Sequence, residues 1–396
     1  MSDSLRSQLA EAFRDQARFA AGYSPLYAQL FEVVGGWLIA GGPDPVVDWL
    51  LEAGHARAPF DVTLLLPAAL HRDVLAGVAA AAPLAAFYPS AGGRAPDPTD
   101  PAFADVLRRV ILACADALAA FIGGANVQTN ETGRGLAWLL PVAALGWPSV
   151  HLLELGASAG LNLVADRRAY RLVDAGAPDR ALLELGDRPP QFTTTADGQA
   201  HLPPLPCCPA ILSRTGGDLH PFHLRTPADE LTLTAFLWAD QVARVERLRE
   251  GIAALRAVAV SDAPVRLFPL RLPDDLPSFL GDHTPRPLAA PLVIFNTTVT
   301  MYLPDSGASL RGHIATWAEA QSAPVLWLQW EPAAPEGRQD WPRDKEGWLA
   351  WTADMWRGEP GRREHHHWQL AWVHPHGTAL EWTEQIDAFL RTAMQT

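Results

Sequence analysis

The chain has 396 residues, 48% of them hydrophobic and 19% charged, which is enough apolar material for two domains or one large layered domain and excludes a disordered chain. A net charge of −13 argues against a nucleic-acid backbone or an anionic membrane as the main partner, since both select clustered cations. Three cysteines, two of them the adjacent Cys207-Cys208, form neither a disulfide framework nor a Cys-x-x-Cys metal pair. The N-terminus lacks the basic-then-apolar layout of a signal peptide, and no stretch reaches ~18 uninterrupted apolar residues, so the expectation is a cytoplasmic protein without an anchor.

The first 146 residues read mostly as helices. Leu5, Leu9, Phe13 and Ala17 recur at four-residue spacing, with Glu11, Arg14, Asp15 and Arg18 on the other faces. That helix stops near Gly22, and Ser24-Pro25 opens a second one through Leu26, Leu30, Val33, Val34 and Trp37. Further helical stretches fall around 45–54, 61–80 and 102–122, with a Gly-, Pro- and Asp-rich loop from Pro89 to Pro101. The next helix begins within Gln128-Thr-Asn-Glu-Thr-Gly-Arg134 and runs to Gly146. Asn130 suits an N-cap there. Alternatively, Gln128, Asn130, Glu131 and Arg134 form a polar cluster at a ligand mouth, ready to orient a substrate.

His151-Leu-Leu-Glu-Leu-Gly-Ala-Ser-Ala-Gly-Leu-Asn-Leu163 is an apolar run ending in an acid, then a small-residue loop, then a helical entry. A buried parallel strand turning at once into a helix needs this composition, because tiny side chains let the backbone approach a ligand and still pack on the sheet. Glu154, Gly156, Ser158 and Gly160 resemble the first motif of class I S-adenosylmethionine-dependent methyltransferases, acid-x-Gly-x-(Gly/Ser)-x-Gly. A dinucleotide fingerprint fits less well, since counting from Gly156 puts Ser158 and Leu161 where its second and third glycines belong. The bland reading is a tight strand-to-helix turn found in any α/β protein.

Beyond the loop, 161–173 reads as a helix and its exit, and about 174–209 as an insertion, a hairpin or a lid. Ala210-Ile-Leu-Ser-Arg214 restarts the alternation as a second strand, and Asp218 after two glycines is the candidate for a ribose, or else an ordinary Gly-Gly-Asp turn. A helix over Trp238–Leu255 and a weak strand Val265–Phe268 follow, then a strong strand Pro291–Phe295 ending at Asn296. A helix through 310–320 leads to a fifth strand, Pro324–Trp330, which ends at Glu331. Trp368–Val373 and Thr378–Trp382, joined by His374-Pro-His-Gly377, carry a hairpin signature. Ligands of open parallel sheets sit beyond the carboxyl ends of the strands, so Asn296 and Thr297 share a rim with Gly156, unless they merely cap strand ends.

Two other chemistries are testable against the same residues. His365-His-His367, with His374 and His376, invites a metal, but alternate residues of a strand face opposite sides and no acid or cysteine cluster supports them. Gly156-Ala-Ser158-Ala-Gly160 matches the letters of a hydrolase nucleophile elbow, with Asp305 and His374 or His376 in suitable chain order. An elbow normally follows several strands, whereas this loop opens the first.

The chain resembles an uncharacterised bacterial family, domain of unknown function 2332, over nearly its full length. The pieces that carry this are Ser24-Pro-Leu-Tyr27, Gln128-Thr-Asn-Glu131 with Gly133-Arg134, Glu154-Leu-Gly-Ala-Ser-Ala-Gly-Leu-Asn-Leu163, Asp166-Arg167, and Trp238 with Asp240-Gln241 and Arg244. The resemblance implies a methyltransferase-like Rossmann fold and supplies no established reaction. The expected architecture is α/β: an N-terminal helical domain over 1–146, then a mostly parallel methyltransferase-type sheet over 147–396, of about seven strands with a C-terminal antiparallel hairpin and the 174–209 insertion. Leu270-Arg271 stands where a Gly-Asp pair is expected after the third strand.

The expected function is S-adenosylmethionine-dependent methyl transfer to a small molecule, with no nucleic-acid or membrane partner. Glu154, Gly156, Ala157, Ser158, Gly160, Asn162 and Asp218 are the cofactor candidates, their loop N–H groups holding its amino-acid end. Asn296 and Glu131 are the catalytic candidates, and Gln128, Asn130, Arg134 and Tyr302 those for substrate. No metal is expected. The alternatives are a non-catalytic scaffold that kept the fold and a hydrolase using Ser158. Methyl transfer depends chiefly on in-line positioning, so few acids or bases are needed.

Overall fold

The computed structural model describes residues 2–97, 101–128, 131–186, 189–190, 192–202, 209–332 and 347–393. The chain divides into two compact units, Met1–Asn130 with Leu224–Leu248, and Glu131–His223 with Arg249–Thr396.

The first unit is helical. Its opening helix, Ser2–Ala20, buries Leu9, Phe13 and Ala17 as their spacing requires. Ser24 caps the next helix, Pro25–Ala40, by accepting the Tyr27 N–H, and Asp44 caps Pro45–Gly54 in the same way. The stretch read as one helix over 102–122 is two, Ala102–Ala113 and Ala115–Gly124, broken at Cys114. The returning segment is pinned by residues far apart in the chain. Trp238 stacks on Tyr27 with ring centroids 5.0 Å apart, Ser24 Oγ donates to Asp240 at 2.6 Å, and Gln241 donates to the Tyr23 carbonyl at 2.7 Å. The helix expected to begin at Trp238 starts at Val242, because Trp238 to Gln241 are spent on these contacts.

The second unit is built on one sheet of 11 strands. In chain order they are β1 (Ser149–Leu155), β2 (Tyr170–Asp174), β3 (Ala177–Leu185), β4 (Phe192–Asp197), β5 (Ala210–Asp218), β6 (Val265–Pro269), β7 (Leu292–Thr297), β8 (Val325–Glu331), β9 (Leu349–Arg357), β10 (Glu364–Val373) and β11 (Ala379–Trp382). Their spatial order is β3-β2-β4-β11-β10-β9-β8-β7-β1-β5-β6. From β6 to β8 every pairing is parallel, and β9, β10 and β11 then run as an antiparallel meander.

Period-two alternation divides the core between the two faces of the sheet. Val150 and Leu152 of β1 join Val293, Phe295, Leu326 and Leu328 in one cluster, and Leu153 and Leu155 join Ile294, Val325 and Trp327 in the other. Helix Leu136–Leu145 is buried at all 10 positions against the first cluster, which explains an apolar pattern without a polar face. The helical block read over the first 146 residues therefore ends sooner, and this helix belongs with the sheet.

The sheet is larger than the seven or so strands expected. The stretch after Leu161 is not a continuous helix: a 3₁₀ turn, Asn162–Arg167, gives way to β2. Of the segment read over 174–209 as an insertion, a hairpin or a lid, the described residues give the hairpin, since β3 pairs antiparallel with β2, while β4 lies parallel to both β2 and β11 and so lengthens the sheet. The predicted terminal hairpin is present as β10 and β11, with His374 N–H closing the turn on the Ala379 carbonyl. Among the described residues no helix is long and apolar enough to cross a membrane.

Candidate functional site

Strand β1 lies between β5 and β7, and the parallel strands run outward from it in chain order on both sides, through β5 to β6 and through β7 to β8, so its carboxyl end is a topological switch point. The chain turns there through three positive φ angles, +76° at Gly156, +48° at Ser158 and +72° at Gly160. Glycine is required at the two outer positions for space as well as conformation. A Cβ on Gly156 would stand 2.4 Å from Val299 Cγ2, and one on Gly160 2.8 Å from Val265 Cγ1.

The loop is fastened to the end of β5. Gly156 and Ala157 N–H both donate to the Gly217 carbonyl, at 2.8 and 3.1 Å, and Gly160 N–H donates to Ala157 O at 2.7 Å. Ser158 N–H donates to Asp218 Oδ2 at 2.8 Å, and Asp218 Oδ1 accepts from His220 N–H at 2.8 Å. The N–H groups expected to cradle a cofactor are thus engaged within the protein, and Asp218, the ribose candidate, holds the loop. Gly156 itself is exposed and Ser158 half-buried, while Ala157, Ala159 and Gly160 are buried, so the turn reaches the surface at Gly156 and Ser158. Leu270, in place of the expected Gly-Asp pair, is buried and packs where a Cβ on Gly217 would lie.

Beneath the turn is a buried carboxyl. Glu154 is 2% exposed, its Oε1 reached by Asn162 Nδ2 only at 3.5 Å, and its Oε2 has no hydrogen-bond partner among the described residues. Burial drives this carboxyl well above the usual range; the Asn162 amide opposes the rise, the charge of Asp218 adds to it and that of Arg134 opposes it. Arg134 is itself buried and ties two elements together, donating from Nη1 to Thr298 Oγ1 at 2.6 Å and from Nε to the Pro375 carbonyl at 2.9 Å. Glu131, also buried, caps the 3₁₀ turn Thr132–Gly135 through Gly133 N–H, and its Oε2 lies 3.2 Å from His376 Nδ1. The glycines of this turn are needed for close packing: a Cβ on Gly133 would meet the Phe192 ring at 2.3 Å, and one on Gly135 would meet Ala165 Cβ at 2.5 Å.

The segment after β7 is organised by a second buried acid. Glu331 accepts from the N–H groups of Val299 and Thr300, the Thr300 hydroxyl and, at 2.6 Å, Asn296 Nδ2. Burial raises its pKa and these bonds oppose the rise. Asn296 is fully buried, and its Oδ1 accepts from Trp327 Nε1 at 2.7 Å, so both ends of the amide are committed. The expectation that Asn296 faces a reacting centre is corrected: it aligns Glu331 within the protein. Tyr302, by contrast, is 69% exposed at the same rim. Gln128 is half-buried in the helical unit, and Asn130 lies outside the described residues.

The competing chemistries lose their partners. Asp305 caps the following helix through Gly307 and Ser309 N–H, while His374 Nδ1 bonds Thr378 Oγ1 and His376 lies against Glu131, so the acid and histidines of the hydrolase reading are occupied elsewhere. His365 and His367 share one face and both approach Asp354 Oδ1, at 2.9 and 3.0 Å. Among the described residues no group of three or more His, Cys, Asp or Glu is placed to hold a metal ion. Sequence reasoning missed the pairing of His376 with Glu131 and the bridging role of Arg134, whose only signals were isolated polar residues in separate stretches.

No curated protein and no solved structure matches this chain. One family model, described as an uncharacterized protein conserved in bacteria (DUF2332), matches residues 10–382, and the chain belongs to that family.

Proposed function

We propose that the sheet unit is an S-adenosylmethionine-dependent methyltransferase acting on a small-molecule acceptor, with the cofactor at the carboxyl rim of β1, β5 and β7. The observation that carries this reading is Glu154: a carboxyl buried to 2% exposure, with one oxygen lacking a hydrogen-bond partner among the described residues, at the root of a glycine turn. A buried carboxyl of this kind keeps its proton when alone and ionises when a cation is set beside it. The ammonium of the cofactor's methionine end is such a group.

The roles differ from those expected of the loop alone. Glu154 takes the ammonium, and Asn162, whose Oδ1 also lacks a partner among the described residues, shares it. Asp218 holds the loop through Ser158 and His220, and its carboxylate keeps further lone pairs for the hydroxyls of a sugar. When bound, the sulfonium supplies an activated methyl group. The protein's part is to orient it.

Calorimetry with S-adenosylmethionine tests the reading. The wild-type chain takes it up, Gly156→Arg abolishes uptake, and Glu154→Gln weakens it by roughly 10- to 100-fold, the worth of one charge-assisted hydrogen bond. No uptake by wild type at millimolar cofactor, with the fold intact by circular dichroism, rejects it.

A further inference from the structure

We propose that the helical unit carries a docking groove for a basic amphipathic helix of a partner protein, between helix Ser2–Ala20 and the start of helix Pro59–Leu75; this stands apart from the methyltransferase reading. The groove has a volume of about 640 Å³, and every residue that lines it belongs to the helical unit. Ala12, Phe19, Pro59 and Phe60 give it an apolar lining, and the two phenylalanines are 62% and 51% exposed. A single exposed phenylalanine is ordinary. Two that line one cavity, with polar side chains beside them, mark an interaction surface. Phe19 is also held in place, since its ring meets Trp238 at 6.0 Å and Tyr23 at 6.2 Å between centroids, so presenting it costs little ordering on binding.

Spacing along the first helix identifies the occupant. Glu11, Asp15 and Phe19 stand at four-residue intervals in one row of the helix surface, and Gln8, Ala12 and Gln16 form the row beside it. Together the rows run ~16 Å along the helix axis, about three turns. A helix laid along them meets two carboxylates one turn apart and then an aromatic ring. Among the described residues two carboxylates and no cation line the groove. Asp15 is also paired with Arg18 outside the lining, both side chains being more than half exposed, whereas the Glu11 carboxylate has no partner among the described residues. The matching segment therefore presents Lys or Arg at two positions four residues apart and an apolar side chain one turn further on. Its apolar contacts supply the affinity, and its cations fix the register and exclude acidic segments. A second copy of this chain fits less well, because a net charge of −13 sets acid against acid.

Fluorescence anisotropy on the full chain tests this with two labelled peptides of about 14 residues, long enough to cover the rows. One sets Leu and Lys in an amphipathic helical pattern, and the other has Glu in place of every Lys. The Leu/Lys peptide binds saturably and the Leu/Glu peptide does not. Phe60→Ser weakens binding roughly 10- to 100-fold, as loss of an aromatic anchor does, and Glu11→Lys weakens it roughly 3- to 10-fold. Glu359→Lys, the same charge reversal at an exposed acid outside the groove, leaves binding unchanged. All three side chains are exposed, and circular dichroism checks that each variant keeps its fold. No binding of the Leu/Lys peptide at millimolar concentration, equal binding of both peptides, or equal effects of Glu11→Lys and Glu359→Lys overturns the proposal. Sedimentation of the chain alone covers the remaining occupant: a dimer that Phe60→Ser dissolves gives the groove to a second copy and overturns the proposal as well.

Discussion

Val299 and Gly156 are packed so closely that no side chain fits between them: a Cβ on Gly156 would lie 2.4 Å from Val299 Cγ2. The glycine is also held at a φ of +76°, where any Cβ adds strain. Gly156→Ala is therefore expected to cost about 2–3 kcal/mol in denaturant unfolding. Val299→Ala in the same chain should recover the steric share, leaving a coupling of about 1 kcal/mol between the two sites. Additive effects of the two substitutions would show that the contact does not exist in solution.

The buried carboxyl of Glu154 has a signature in pH. Burial raises its pKa from an ordinary value of 4.5, so the folded state favours the protonated form. The stability this lends is complete below that ordinary value and is lost as pH rises through the folded one. Glu154→Gln, which has no proton to lose, should be more stable than wild type at pH 8, with the gap closing toward pH 5. Each tenfold change in proton affinity is worth about 1.4 kcal/mol. Parallel urea titrations at the two pH values decide it, and a pH-independent gap would contradict the prediction.

The 3₁₀ turn Asn162–Arg167 rests on a buried ion pair. Arg214 donates to both oxygens of Asp166, at 2.6 Å each, and also to the Leu163 carbonyl; the side chains are 1% and 7% exposed. Asp166→Asn would leave the guanidinium without a counter-charge, at a cost of about 3–5 kcal/mol. Urea unfolding measures the loss, and limited proteolysis within 162–168 locates it. The double variant Asp166→Leu with Arg214→Met should lie closer to wild type than either single change.

What could be read in advance follows from local chemistry. Strands β1, β5, β7 and β8 announce themselves as apolar runs bounded by Gly, Pro or an acid, and β1, β7 and β8, buried on both faces, have no polar register to show. β3 gives no such signal: most of its residues are exposed, and it exists through its pairing with β2. β4 is mostly polar, with Thr193, Thr194, Thr195 and Asp197 among its six residues, and its place beside β11 is a long-range choice of partner. In the site, Glu154, Gly156, Gly160 and Asp218 were legible because one loop imposes their spacing. Asn296 was misread since a strand-end amide looks the same whether it faces a ligand or Glu331. The contact of His376 with Glu131 has no local cause at all, and only the fold brings the two together.

His71 gives the helical unit an acid-sensitive fastening. It is fully buried in helix Pro59–Leu75, with Nδ1 donating to the Leu237 and Ala235 carbonyls, at 2.9 and 3.2 Å, and Nε2 accepting from Ser90 Oγ at 2.7 Å. Two carbonyls can only accept, so the proton sits on Nδ1 and the ring is neutral. Burial pushes its pKa from 6.5 down to about 4, against the pull of the two carbonyls. A depressed folded value means that the stability is complete above the unfolded pKa and is lost as pH falls from about 6.5 toward 4, by about 3 kcal/mol in all. His71→Gln should be weaker at pH 7.5 yet lose less on acidification, with the two curves converging near pH 4.5. Hydrogen exchange in the helices Pro59–Leu75 and Pro227–Ala235, followed from pH 7.5 to 4.5 with correction for intrinsic rates, reads this directly. Equal slopes in the two proteins would mean that the imidazole is not the group that loosens the unit.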